Sequence, residues 1–194
     1  MLLDLSLPFN LDSPDFKAFA DKAQAKRVSA LTSLGHFGTH LDRLKGTPIP
    51  LDYFKSRGIC LDARSRPQDG KLGLGDLDLS LVMDKDFLII RTGVMESHPY
   101  PSEGYMSALF ELGWDLLEAM LDKGVRFIGL DSRGLRADRD HPKADTTCET
   151  RGAFVIENLT GLERLPLNTP ITVYAAVLDL GGTGLPAKVV AELA

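Results

Sequence analysis

Hydrophobic and polar positions alternate over residues 2–7, a period of two that predicts an opening strand stopped by Pro8. Over residues 15–27 the period lengthens. Phe16, Phe19, Ala20 and Ala23 recur at helical spacing after Pro14 and predict a short helix. Residues 28–34 read as a strand, and 58–62 form a short apolar run. Residues 87–90, bounded by Asp86 and by Thr92-Gly93, are continuously apolar and predict a buried strand. In 107–123, Leu109, Leu112, Leu116, Leu117 and Met120 fall on one helical face, with Gly124 as the C-terminal cap. A strand over 125–130 ends at Asp131, a helix covers 144–151, and a strand over 153–156 delivers Glu157 at its end. Two further strands, 171–178 and 187–193, flank the Gly181-Gly182-Thr183-Gly184 turn.

Helices and strands mix with uneven spacing, which predicts an α/β fold with a central mixed sheet, one domain over residues 1–194. No repeat, low-complexity tract or linker interrupts it. The composition, 44% hydrophobic and 25% charged, suits a globular protein. A net charge of −5 leaves no basic footprint for nucleic acid or anionic lipid. No apolar stretch approaches the roughly 18 residues of a membrane span, and the start, acidic at Asp4, lacks the basic region of a signal peptide. Cys60 and Cys148 are too few for a disulfide framework and read as small buried hydrophobes. These features predict a soluble, cytoplasmic protein with no nucleic-acid or membrane partner.

Chemistry concentrates in His36-Phe37-Gly38-Thr39-His40-Leu41-Asp42, where two of the four histidines stand beside a carboxylate. Gly35 and Gly38 disfavour a helix there, so a strand end or tight turn is expected to bring His36, His40 and Asp42 together. Imidazole with carboxylate suits zinc, manganese or iron(II), and the lack of nearby thiolate argues against a zinc finger. Three such ligands leave positions open on the metal, as hydrolysis requires. Gly73-x-Gly75 and Gly181-Gly182-x-Gly184 lack the strand–helix setting of a dinucleotide fingerprint. His98, before Pro99 and near Tyr100 and Tyr105, reads as a loop histidine.

The run His-x-Gly-Thr-His-x-Asp resembles the metal-binding signature of the cyclase family, which includes kynurenine formamidase and isatin hydrolase. The likeness extends to Leu3-Asp4-Leu5-Ser6, to Ile89-Ile90-Arg91-Thr92-Gly93, to the segment from Gly124 to Asp131, and to Val155-Ile156-Glu157-Asn158-Leu159 with Leu162 and Leu165-Pro166 after it. It implies a swivelling β/β/α fold assembled as a homodimer or tetramer, holding one or two divalent ions, zinc or manganese. It also implies hydrolysis of an amide, N-formyl or lactam C–N bond of a small-molecule substrate. By position, His36, His40 and Asp42 carry over as ligands, and Glu157 as the late carboxylate ligand.

Three departures mark this chain. Leu44 and Gly46 stand where the family continues Asp-x-Pro-x-His, so the proposed acid/base histidine is missing and the catalytic residue is unassigned. Twelve residues before Glu157 the family has His, and here Asp145 stands. Arg136 replaces the last Asp of Asp-x-x-Ser-x-Asp. On a helix, His141, Asp145 and Cys148 would share a face, which lets His141 reach the metal from one turn earlier, with Asp145 its rival for that place. A metal-binding protein without turnover, or a metal-dependent lyase or cyclisation enzyme, are the alternatives to a hydrolase.

Overall fold

The computed structural model describes residues 1–8, 10, 12–25, 35–65, 70–108 and 110–193, and the strand predicted over 28–34 and the side chain of Leu109 lie outside them. In chain order the elements are β1 (Leu2–Asp4), α1 (Pro14–Ala25), β2 (His40–Asp42), β3 (Lys55–Asp62), β4 (Lys71–Leu72), β5 (Phe87–Arg91), α2 (Val94–Ser97), α3 (Glu103–Ser107), β6 (Glu111–Leu112), α4 (Trp114–Asp122), β7 (Phe127–Leu130), α5 (His141–Thr150), β8 (Phe154–Glu157), β9 (Ile171–Val177) and β10 (Gly184–Glu192). Short 3₁₀ turns connect several of them.

The central sheet is mixed, as expected, and it closes on itself. Strands run in the order β10-β2-β8-β7-β5-β3-β9, and β9 pairs back onto β10, giving a seven-stranded barrel. The pairs β3–β5, β5–β7 and β7–β8 are parallel, and the others are antiparallel. One place in the wall is shared. Between β10 and β8, β2 fills one end while β1 pairs with β10 at the other, and Ser6 bridges Leu159.

Period-two alternation divides the core between the two faces of this wall. Leu41, Phe87, Ile89, Phe127, Phe154, Ile156 and Val189 fill the barrel interior. Their neighbours Leu88, Ile90, Ile128 and Val155 face outward under Leu116, Leu117 and Met120 of α4 and Ala144 and Cys148 of α5. Every residue of β5 is therefore buried, which is why it reads as one apolar run rather than an alternating one. Both cysteines are buried and unpaired, and burial pushes the Cys60 thiol up to about 12.

Two elements differ from expectation. The helix predicted over 107–123 begins only at Trp114, because Leu112 pairs with Leu72 in the small β4–β6 sheet and Ser107 closes the separate α3. The apolar spacing was genuine, since Leu112, Leu116, Leu117 and Met120 all enter one outer layer, but a strand and a helix share it. Helix α5 starts at His141, three residues before the predicted start, with Pro142 in its first turn, where the missing amide costs nothing.

Candidate metal centre

Leu41 points into the barrel, so His40 and Asp42 on either side of it point outward. The same holds for Glu157 in β8, one residue beyond the inward Ile156. Antiparallel register sets His40 directly opposite Glu157 and Asp42 opposite Val155. Helix α5 packs over this patch and brings His141 and Asp145 down onto it from one face, Nε2 to Oδ2 3.3 Å. His36 arrives from the turn before β2. Its ring occupies the space a Cβ at Gly184 would need, 2.6 Å away, so the paired strand must carry glycine there.

Six side chains thus converge. His36 Nε2 lies 3.4 Å from Asp42 Oδ1, and His40 Nε2 lies 3.6 Å from both Asp42 Oδ1 and Glu157 Oε2. His141 Nε2 is 3.4 Å from Glu157 Oε1 and 3.8 Å from Asp42 Oδ2. These spacings are long for hydrogen bonds. They suit donors arranged around an ion, since ligands at about 2.0–2.1 Å in a tetrahedral shell stand about 3.3 Å apart. Two groups could hold a cation: His40, Asp42 and Glu157, and Asp42, His141 and Asp145. Asp42 belongs to both.

Unmet polar atoms strengthen the fit. Asp42 Oδ2, both Asp145 oxygens and Glu157 Oε1 are buried without a hydrogen-bond partner among the described residues, an arrangement costing several kcal/mol per ionised group unless a cation compensates it. Burial, reinforced by the charges of Asp42 and Asp145, holds Glu157 well above the usual carboxylate range. Burial and the neighbouring Asp42 push Asp145 up to about 7. Burial also opposes ionisation of Asp42, but the imidazoles of His40, His141 and His36 outweigh it and hold that carboxyl low. His40 is depressed chiefly by burial, and Asp42 beside it raises His141. The site is short of positive charge.

A second layer orients the donors. The Gly38 carbonyl accepts from His40 Nδ1 at 2.9 Å, leaving Nε2 to face the carboxylates. Asn158, in the left-handed region at φ 59°, donates through Nδ2 to the same carbonyl at 2.7 Å and accepts from Tyr105 Oη. The Tyr100 hydroxyl in turn accepts from Gly38 N–H. Sequence reasoning missed these roles of Asn158, Tyr105 and Tyr100. The available signal was an Asn directly after the strand-end Glu, the residue type that tolerates positive φ.

The site opens into a cavity of about 610 Å³ whose lining includes Phe19, Val94, Tyr100, Tyr105 and Phe110. Gly46 does not line it. Lys45 N–H and Thr47 N–H both donate to the Glu149 carboxylate at 2.8 Å, tying that loop to the far end of α5. Position 46 is exposed, and a Cβ there would meet nothing within 4 Å. His98 also lies outside the cavity lining, packed against Gly104.

The profile of the Cyclase family matches residues 3–136, more than half of the chain, and the chain belongs to this family. It is similar to kynurenine formamidase of Paracidovorax citrulli (strain AAC00-1), 28% identical over 185 residues that cover 86% of this chain and 84% of that protein. Among solved structures, a potential metal-dependent hydrolase with cyclase activity aligns with a TM-score of 0.73 at 21% identity, over 98% of this chain and 96% of its own. Isatin hydrolase A from Labrenzia aggregata gives 0.72 at 16% identity, over 98% and 93%. Both share the fold. The family match ends at residue 136, so His141, Asp145 and Glu157 lie beyond it.

Proposed function

We propose that the protein is a metal-dependent hydrolase that cleaves the C–N bond of a small amide, N-formyl or lactam compound. The observation that carries this reading is the meeting of two three-donor groups at Asp42 on the floor of a cavity, with their outward oxygens unmet. The similarity to a formamidase points to the same bond type. His36, His40, Asp42, Glu157 and His141 are the proposed ligands, with Asp145 sharing the place of His141. The donor set suits zinc or manganese. A divalent ion held there supplies Lewis acidity toward the scissile carbonyl and makes water acidic enough to react near neutral pH.

The chain's own groups do the rest. Gly38 and Asn158 fix the His40 ring, and the aromatic side chains of the cavity lining offer apolar surface to an organic body. Gly46 offers no proton to the leaving nitrogen. Asp145 beneath the site, or His141 where it does not ligate the ion, can hold one, a task typically worth 10²–10⁴-fold.

Metal analysis of the purified protein, with a screen of N-formyl amides, lactams and cyclic imides in H₂¹⁸O, tests the proposal. The expected result is stoichiometric metal, chelator-sensitive turnover and one solvent oxygen in the product. Turnover without solvent oxygen would assign a lyase or cyclisation instead, and full metal with no turnover across the panel would assign a binding role.

A further inference from the structure

The loop that follows β7 is clamped beside the centre at three points. The Asp131 carboxylate accepts from Thr92 N–H at 2.6 Å and Gly93 N–H at 2.9 Å. The Ser132 carbonyl accepts from Asn158 N–H. Gly134, at φ 73°, lies so close to the floor that a Cβ would fall 2.5 Å from the His141 ring and 2.8 Å from Glu157 Oε1. Between these anchors sits Arg133, which lines the cavity.

Arg133 differs from the other cations around that space. Arg136 is fixed over the Trp114 ring and bonded to the Leu112 carbonyl and Asp140. Lys71 is also engaged with a neighbour. Arg133 is exposed and makes no side-chain hydrogen bond or ion pair among the described residues, and its charge is felt at Glu157 and Tyr105. Beside it, Ser132 lines the same cavity, and its Oγ is buried with no hydrogen-bond partner among the described residues. A clamped loop thus carries a free planar fork of donors and an unmet hydroxyl beside a cavity whose lining includes Tyr100, Tyr105 and Phe110.

We propose that Arg133, with Ser132 Oγ, forms an anion subsite that selects substrates carrying a carboxylate on an apolar body, such as N-formylated amino acids. This rests on the hydrolase reading for the word substrate, but not for the binding. The guanidinium forks a carboxylate bidentately, the hydroxyl meets one of its remaining lone pairs, and the aromatic lining takes the hydrophobic body. Arg133 acts by positioning and takes no part in bond making.

Calorimetric titration of the metal-loaded protein with 3-phenylpropanoate and with neutral 3-phenylpropanamide tests the subsite without turnover. The expected result is a preference for the acid of roughly tenfold or more, collapsing in Arg133→Ala and partly restored in Arg133→Lys. Ser132→Ala should weaken the acid by a smaller factor. A carboxylate binding only to the ion would not respond to Arg133, so unchanged acid affinity in Arg133→Ala overturns the proposal, as does equal affinity for acid and amide. In a second arm, N-formyl-L-phenylalanine is compared with N-formylphenethylamine. Arg133→Ala should raise KM for the acid far more than it lowers kcat. Arginine-dependent acid binding with no turnover of either compound, or of the wider amide and lactam panel, would leave the subsite standing and sink the hydrolase reading alone.

Discussion

The two halves of the candidate metal centre are built differently. His40 and Asp42 sit on a strand gripped at both edges, by β8 and by β10, so their backbone positions are set by sheet register. His141 and Asp145 sit on the first two turns of α5, beside an exposed 3₁₀ turn. The strand half is rigid and compact in sequence. The helix half reaches the same point with two alternative donors one turn apart. A site of this kind tolerates variation in the half where a neighbouring turn can substitute, and none where a one-residue slip would turn the donors into the barrel.

The sharpest test of that asymmetry uses Asp42, which belongs to both donor groups. Asp42→Ala should abolish metal content and activity together. His141→Ala should leave metal bound through His40, Asp42 and Glu157, at reduced stoichiometry. Elemental analysis of the two variants decides the matter, and equal loss in both would mean that a single ion spans all the donors.

The next effect is on pH. Asp145 is raised to about 7, so in metal-free protein its contribution to stability is full below the ordinary carboxylate range and is lost as pH rises through about 7. Glu157 and His141 act in the same direction, and His40, whose protonation burial disfavours, acts against it. Chelated protein should therefore melt several degrees higher at pH 5 than at pH 7.5. Metal-loaded protein should show the reverse, because the ligands must lose their protons to bind. The same pH slope with and without metal would contradict the assignment of these groups as ligands.

Smaller changes should follow from the supports of each half. Asn158→Ala removes the donor that holds Gly38 against His40 and should weaken metal binding roughly 10–100-fold, read by competition with a chelator. Gly134→Ala places a methyl against His141 and Glu157 in a left-handed backbone. It should cost about 2 kcal/mol, a fall in Tm of roughly 4–8 °C, read by thermal melting.

Legibility in the sequence follows the same divide. Residues 36–42 were readable because all their donors lie within seven positions. The strands β5, β7 and β8 were readable because layers on both faces leave them few polar positions. Barrel closure was not, since it depends on β9 meeting β10 and β3, pairings with no local signature. The choice between His141 and Asp145 stayed open because it turns on where α5 begins, and the helix includes both. Helical spacing over 107–123 misled because Leu112 keeps its place in the outer layer while belonging to a strand. Arg133 gave no signal, as its importance lies in what it does not touch.

The shared place in the barrel wall also governs when the centre can exist. While the chain is being made, residues 36–42 emerge long before either strand that will flank them. Until β8 follows, β2 has no partner on either edge and Glu157 has not yet been added, and until β10 follows, the other edge of β2 stays open. Pairings this distant in sequence form late. The imidazoles of the signature therefore spend most of synthesis as ordinary side chains with no carboxylates opposite them. If the proposed ion needs β2 held on both edges, its uptake would report that β10 has been laid down, and a nascent chain halted before Gly184 should carry the signature intact and hold no ion.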